Sequence, residues 1–97
     1  MIVSFRNPGT ADIFHGLDSA QARRLCPPYM AEVARRKLEQ IDSVARLLDL
    51  RTPPGNRLEL LTGDREGQFS IRINQRLRVC FRWSVNGPCD VEITDYH

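Results

Sequence analysis

The stretch DVEITDYH sets a carboxylate (Asp95), a phenol (Tyr96) and an imidazole (His97) directly after the strand-like VEI. Upstream, Arg72, Arg76, Arg78 and Arg82 fall within eleven residues that contain no acid. Arginine carries a planar fork of donors suited to two-pronged phosphate contacts. An imidazole with an unperturbed pKa of about 6.5 gives or takes a proton near neutrality. These groups together fit metal-independent cleavage of RNA. The 2′-hydroxyl attacks the adjacent phosphorus, a base takes its proton, an acid protonates the leaving 5′-oxygen, and cations hold the added negative charge. In that scheme His97 is base or acid, and Asp95 fixes its tautomer or is itself the base. Arg78 and Arg72 hold the pentavalent phosphate. Tyr96 donates a proton or stacks on a base.

Those groups meet only if the strands that carry them share a register. From Leu58 onward the apolar residues recur at every second position, the period of a half-buried strand. RLELL reads as a short strand and TGDREG as a turn-rich loop. QFSIRI carries Phe69, Ile71 and Ile73 on one face, and LRVCFRW carries Leu77, Val79, Phe81 and Trp83. A two-residue turn at Asn74-Gln75 would set Ile73 opposite Arg76 and Ile71 opposite Arg78, putting charge on the core face. A three-residue loop, Asn74-Gln75-Arg76, instead pairs Ile73 with Leu77, Ile71 with Val79 and Phe69 with Phe81. An all-apolar face fixes that register. The other face then sets Arg72 opposite Arg78, Ser70 opposite Cys80 and Gln68 opposite Arg82. Like charges set directly opposite repel, so the pair suits an anion held between Arg72 and Arg78. The plainer account is that both point into water and are screened. By the same criterion, DVEIT returns from a loop at Asn86-Gly87-Pro88. It pairs Ile93 with Phe81 and Val91 with Trp83, sets Glu92 against Arg82, and delivers Tyr96 beside Arg78.

The first half of the chain supplies the other layer. IVSF reads as a short strand ended by Pro8-Gly9. TADIFHGL suits one or two helical turns, and DSAQARRL a further helix with Asp18 or Ser19 as its N-cap. From Tyr29 to Leu48, the residues Met30, Val33, Ala34, Leu38, Ile41, Val44, Ala45 and Leu48 recur at helical steps and form one apolar stripe. Glu32 with Arg36, and Asp42 with Arg46, are spaced as i,i+4 pairs on the wet side. Pro53-Pro54-Gly55 rules out continuation of the helix. The order of strand, helices, then a run of strands predicts an α+β fold. It is a single small domain over residues 1–97, with an N-terminal strand and two to three helices packed on one face of a mainly antiparallel sheet.

Composition bounds the function. With 41% apolar and 27% charged residues the chain is globular. The apolar stretch of MIVSFRNPG is too short for a signal peptide, and no apolar run reaches the ~18 residues of a membrane span. A cytoplasmic protein is expected. Of fourteen basic residues only Lys37 is lysine. Cys26, Cys80 and Cys89 form no CxxC pair, which favours small buried hydrophobes over a disulfide framework or a zinc site. His15 has no partner at metal-ligand spacing and reads as structural or exposed. TGDREG lacks P-loop spacing.

The segments PPGNRLELLTGDREGQFSIRINQRLRVCFRW and DVEITDYH, in that order and spacing, resemble the HigB-type plasmid-maintenance "killer" toxins of the RelE/ParE superfamily. The resemblance runs from IVSF to DYH. It implies a RelE-like toxin of a type II toxin–antitoxin system that enters the ribosomal A site and cleaves mRNA there, with no cofactor and no metal. It implies a helix-turn-helix antitoxin of the HigA type, and operator DNA bound only through the antitoxin complex. Site residues carried over are Asp95, Tyr96, His97 and Arg78 for catalysis, with Arg57, Arg65, Arg72, Arg76 and Arg82 as RNA contacts. Two departures stand out. Relatives often have lysine at the position of Thr62, and some have histidine at the position of Glu59. Two other readings of the same fold are a ParE-like protein that poisons DNA gyrase and a ribosome- or RNA-binding module without catalysis.

Overall fold

Asn7 and Ser19 start the first two helices. In the computed structural model, which describes residues 1–95, α1 spans Pro8–Phe14 and α2 spans Ala20–Leu25. Each cap residue holds extended backbone and accepts an otherwise unpaired amide, Thr10 N–H for Asn7 and Ala22 N–H for Ser19. The two helices cross at Gly9, where a Cβ would lie 2.6 Å from both the Gln21 carbonyl oxygen and Leu25 Cδ1.

The third helix, α3, runs from Ala31 to Ser43 and buries Ala34, Leu38 and Ile41 completely. It is shorter than the stripe from Tyr29 to Leu48 predicts. Val44 is extended, and the chain re-enters a 3-10 turn at Leu47–Arg51 that buries Leu50 and leaves Leu48 60% exposed. Side chains divert the helix end. Ser43 Oγ donates to the Gln40 carbonyl at 3.1 Å, a local bond that competes with the helical ladder. Asp42 accepts the Ile2 amide at 2.8 Å. Among the described residues Arg46 therefore pairs with Asp49 and not with Asp42, while Glu32 does meet Arg36 at 3.6 Å.

Four antiparallel strands follow in sheet order: β1 (Glu59–Leu60), β2 (Phe69–Arg72), β3 (Leu77–Ser84) and β4 (Gly87–Asp95). The β2–β3 register is the expected one, with Phe69 opposite Phe81, Ile71 opposite Val79 and Arg72 opposite Arg78. The expected N-terminal strand is reduced to a parallel bridge between Phe5 and Val91. Around it, Val3 N–H donates to the Pro88 carbonyl, Val91 N–H to the Ser4 carbonyl and Arg6 N–H to the Val91 carbonyl. One step further, the Ile93 amide donates to Thr10 Oγ1 at 3.0 Å. This outer edge of β4 is thus covered in turn by the N-terminal segment and by α1.

The β3–β4 register differs from the expected one by two residues. Ile93 pairs with Val79, Glu92 with Cys80, Thr94 with Arg78 and Asp95 with Leu77. The hairpin closes tightly, with Ser84 paired to Gly87 and Trp83 to Pro88. Proline fits this position because the polar edge of Pro88 faces Val3 rather than β3, so the ladder loses no bond. The mismatch is taken up by a bulge between Cys80 and Arg82, opposite which Asp90 adopts φ 52°. The Asp90 amide donates to Ser4 Oγ at 2.9 Å. The helices pack on one face of the sheet against Ile71, Val79, Phe81, Val91 and Ile93.

Candidate functional site

Arg78 lies on the sheet face opposite the helices, and the chain holds it from three sides. Its Nε donates to Ser70 Oγ at 2.8 Å. Its Nη2 donates to the Arg57 carbonyl at 2.8 Å and lies 3.1 Å from Glu59 Oε1. The side chain is only 14% exposed, and Ser70 beneath it is fully buried. Each partner follows from local structure. Ser70 is set by the β2–β3 ladder, and Glu59 pairs with Ser70 across β1–β2 and so shares its face. Arg57 turns its carbonyl inward because its own backbone is left-handed, φ 48°. The segment before Arg57 is fixed by Asn56, fully buried. Asn56 Nδ2 donates to Gln40 Oε1 at 3.0 Å and to the Leu50 carbonyl at 3.1 Å, and its Oδ1 accepts from Lys37 Nζ at 2.5 Å.

A cleft of about 520 Å³ opens beside Arg78. Its walls include Glu59, Thr62, Arg65, Gln75 and Arg76. Arg65, Arg76 and Arg78 line it together with Glu59 and Asp64, and each of the three guanidinium groups is paired with a carboxylate: Glu92, Asp95 and Glu59 in turn. Arg65 spans the open face: Nη1 donates to Glu92 Oε1 at 2.7 Å and to Gln68 Oε1 at 3.1 Å, and Nη2 to Thr94 Oγ1 at 3.4 Å. Below it Cys80 is fully buried. Burial pushes its thiol up to about 11, against the pull of the Arg65 and Arg78 charges. A thiol so held is a packing group and not a nucleophile.

The other arginines spread along this face and its rim. Arg72 stands opposite Arg78 as expected, but the two guanidinium groups turn apart. Arg72 Nε donates to the Asn74 carbonyl at 3.0 Å, toward the turn, while Arg78 reaches back to Ser70. Their repulsion is relieved by this divergence. Arg82 lies over Gly67, where a Cβ would approach its Nη1 to 2.8 Å. It faces Asp90 at 4.0 Å in place of the expected Glu92, which Arg65 takes. Asp95 pairs with Leu77 and so lies on the helix side of β4, not on the Arg78 side. Its carboxylate accepts from Arg76 Nη2 at 2.8 Å. Thr94, and not the expected Tyr96, is paired with Arg78; Tyr96 and His97 themselves lie outside the described residues.

Two residues matter here more than their sequence context suggests. Ser70 and Glu59 both engage Arg78. The register already put Ser70 on the arginine face, diagonal to Arg78. A small polar residue there is the signal that was available. Glu59 stood out in the sequence only as a position where some relatives carry histidine.

A family model described as the RelE-like toxin of type II toxin-antitoxin system HigB matches residues 4–97. The chain belongs to this HigB-like toxin family. It is 45% identical over 60 residues to Toxin HigB-1 of Vibrio cholerae serotype O1 (strain ATCC 39315 / El Tor Inaba N16961), covering 62% of this chain and 63% of that protein. It is 37% identical over 60 residues to an uncharacterized protein of Haemophilus influenzae (strain ATCC 51907 / DSM 11121 / KW20 / Rd), covering 62% and 59%. The matched segment thus spans about three fifths of the length of these curated relatives. The fold of this HigB-like chain is similar to that of a chain in the YoeB-YefM complex from Staphylococcus aureus. The TM-score is 0.60 at 18% identity, covering 100% of this chain and 95% of the other. A second match, with the same score and coverage, is titled a heterotetrameric complex of the YoeB-YefM toxin-antitoxin. At that identity the likeness concerns the fold. Among the described residues no helix is long and apolar enough to cross a membrane.

Proposed function

We propose that this HigB-like toxin is a ribosome-dependent endoribonuclease that cuts mRNA in the A site, residues 1–97 acting as one domain. The observation that carries the proposal is the held guanidinium of Arg78. A cation fixed by Ser70, Glu59 and the Arg57 carbonyl is pre-organised for the charge that develops on phosphorus. Among the described residues no bond is made by its Nη1, and that nitrogen is the one left to meet a phosphate. Arg65 and Arg76 add charge along the cleft, and Arg57, Arg72 and Arg82 extend the contact with RNA. As the 2′-hydroxyl attacks phosphorus and the bond to the 5′-oxygen breaks, Tyr96 and His97 serve the two proton transfers, removal from the 2′-hydroxyl and delivery to the leaving 5′-oxygen, without metal or cofactor. Asp95, the third member of the expected catalytic set, is paired with Arg76. The toxin works in the cytoplasm and is neutralised by a HigA-type helix-turn-helix antitoxin, through which alone it meets operator DNA.

Primer extension on mRNA after induction tests this. Wild type should leave cuts within translated codons, and His97→Ala and Arg78→Ala should abolish them together with growth arrest. Affinity for ribosomes should fall with salt as phosphate counterions are released. Full growth arrest by both variants would end the nuclease reading, and gyrase trapped on DNA with message intact would replace it with the ParE-like one.

A further inference from the structure

Arg76 lines two hollows. One is the cleft beside Arg78. The other, of about 250 Å³, lies around the β2–β3 turn on the helix side, walled by Arg23, Arg24, Tyr29, Arg76, Leu77 and Asp95 among others. Folding explains part of this wall. Arg23 holds Asp18 at 2.8 Å, and that bond draws the Asp18 carboxyl below its usual range. Arg23 and Arg24 both sit in the last turn of α2, where cations offset the negative helix end.

Folding does not explain the rest. Tyr29 is 82% exposed. Among the described residues its side chain makes no hydrogen bond or ring contact, and Arg24 makes no ion pair. The backbone that carries Tyr29 is held. It sits inside the 3-10 turn Pro28–Met30, preceded by Pro27, with Met30 N–H bonded to the Pro27 carbonyl at 2.9 Å. Prolines restrict the backbone there, so the point from which the ring projects is fixed while the ring itself stays open to a ligand. The Arg76–Asp95 pair is open to water, its side chains 74% and 36% exposed. Such a pair is weak, and Arg76 can exchange it for a phosphate.

We propose that this hollow is a second nucleotide subsite: an unpaired base of the message strand stacks on Tyr29 while Arg24 and Arg76 meet its phosphates. The proposal rests on the nuclease reading above. An exposed aromatic ring flanked by arginines is how single strands are held irrespective of sequence. The shared Arg76 makes the subsite continuous with the cleft, so the strand in one continues into the other. A base must be unpaired to offer its face, which favours the message over the paired helices of ribosomal RNA.

The test uses the full chain as His97→Ala, which keeps the message uncut, on ribosomes carrying a message with 4-thiouridine at one position at a time. After irradiation, one position should crosslink to the peptide that holds Tyr29, close to the position that joins the Arg78 peptide. In active protein, Tyr29→Ala and Arg24→Ala should each raise KM for programmed ribosomes about tenfold with kcat little changed, and Tyr29→Trp should restore it. The subsite is refuted if the Arg78 peptide crosslinks to message and the Tyr29 peptide does not, or joins ribosomal RNA alone. Unchanged KM in both variants refutes it too, as does a loss confined to antitoxin affinity. If wild type neither binds nor cuts on programmed ribosomes, the nuclease reading falls first and the subsite with it.

Discussion

Replacing Ser70 by alanine removes one oxygen from beneath Arg78 and leaves the other two partners in place. The bond is short, 2.8 Å, its acceptor is fully buried and the arginine is 14% exposed. A hydrogen bond to a charged group contributes about 1.5–3 kcal/mol. The remaining partners, the Arg57 carbonyl and Glu59, both engage Nη2. The guanidinium can then pivot about that atom, and part of the loss is recovered by relaxation. A stability loss of about 1–2 kcal/mol remains, which for a domain of this size lowers the melting temperature by roughly 5–15 °C. On the proposed nuclease reading catalysis should suffer more, because a displacement of about 1 Å at a reacting centre costs up to about a hundredfold. Single-turnover cleavage of message on programmed ribosomes, at saturating toxin, should therefore slow by about 10- to 100-fold. Ribosome affinity should change little, since the charge of Arg78 is retained. Arg78→Lys should slow cleavage at least as far, because an ammonium is a single point of charge and cannot reach Ser70 and the Arg57 carbonyl from separate nitrogens of a planar fork. Wild-type cleavage by a Ser70→Ala protein that melts lower would show that the pose of Arg78 is irrelevant to the chemistry.

Asn56→Ala should cost about 2–4 kcal/mol, because it strands the Leu50 carbonyl and the Lys37 ammonium that Asn56 satisfies. Chemical denaturation would read this as a lower midpoint with unchanged slope. The Cys80 thiol, held at about 11, stays neutral in the fold where the unfolded chain ionises at about 8.5. The unfolded state then binds fewer protons, so stability should fall as pH rises from about 9 to 11. Cys80→Ala should lack that component, and equal alkaline losses in both proteins would contradict it. Asp90→Val forces a branched side chain into the left-handed region at φ 52° and should cost about 1–2 kcal/mol. Asp90→Gly should melt at or above wild type. A well-tolerated valine would mean that the bulge is not held.

What the sequence made legible depended on whether an error would have changed a face. A one-residue slip between β2 and β3 would bury Arg78, so pattern alone fixed the pairing of Ile71 with Val79. A two-residue slip between β3 and β4 leaves Val91 and Ile93 in the core either way. The alternation could not distinguish the two, and the bulge at Asp90 carries no glycine to mark it. The end of α3 was hidden for another reason, since Asp42 is taken by Ile2, 40 positions away. At the candidate site, Arg78 and Arg72 were legible by face. The reach of Arg65 to Glu92 across 27 positions was not, because no local period encodes it. The left-handed turn at Arg57 was equally invisible, since arginine is not a residue that announces such a conformation.

The extra residue at Asp90 divides β4 into two lengths that are indexed separately. The hairpin tip at Val85 and Asn86 answers to the pairs nearest it, whereas the stretch from Glu92 to Asp95 is held by Leu77 through Cys80. Slack introduced at the tip is absorbed before it reaches Asp95. Tags, epitopes or longer loops grafted between Ser84 and Gly87 should thus be carried like a pennant, with the far end of the sheet keeping its alignment.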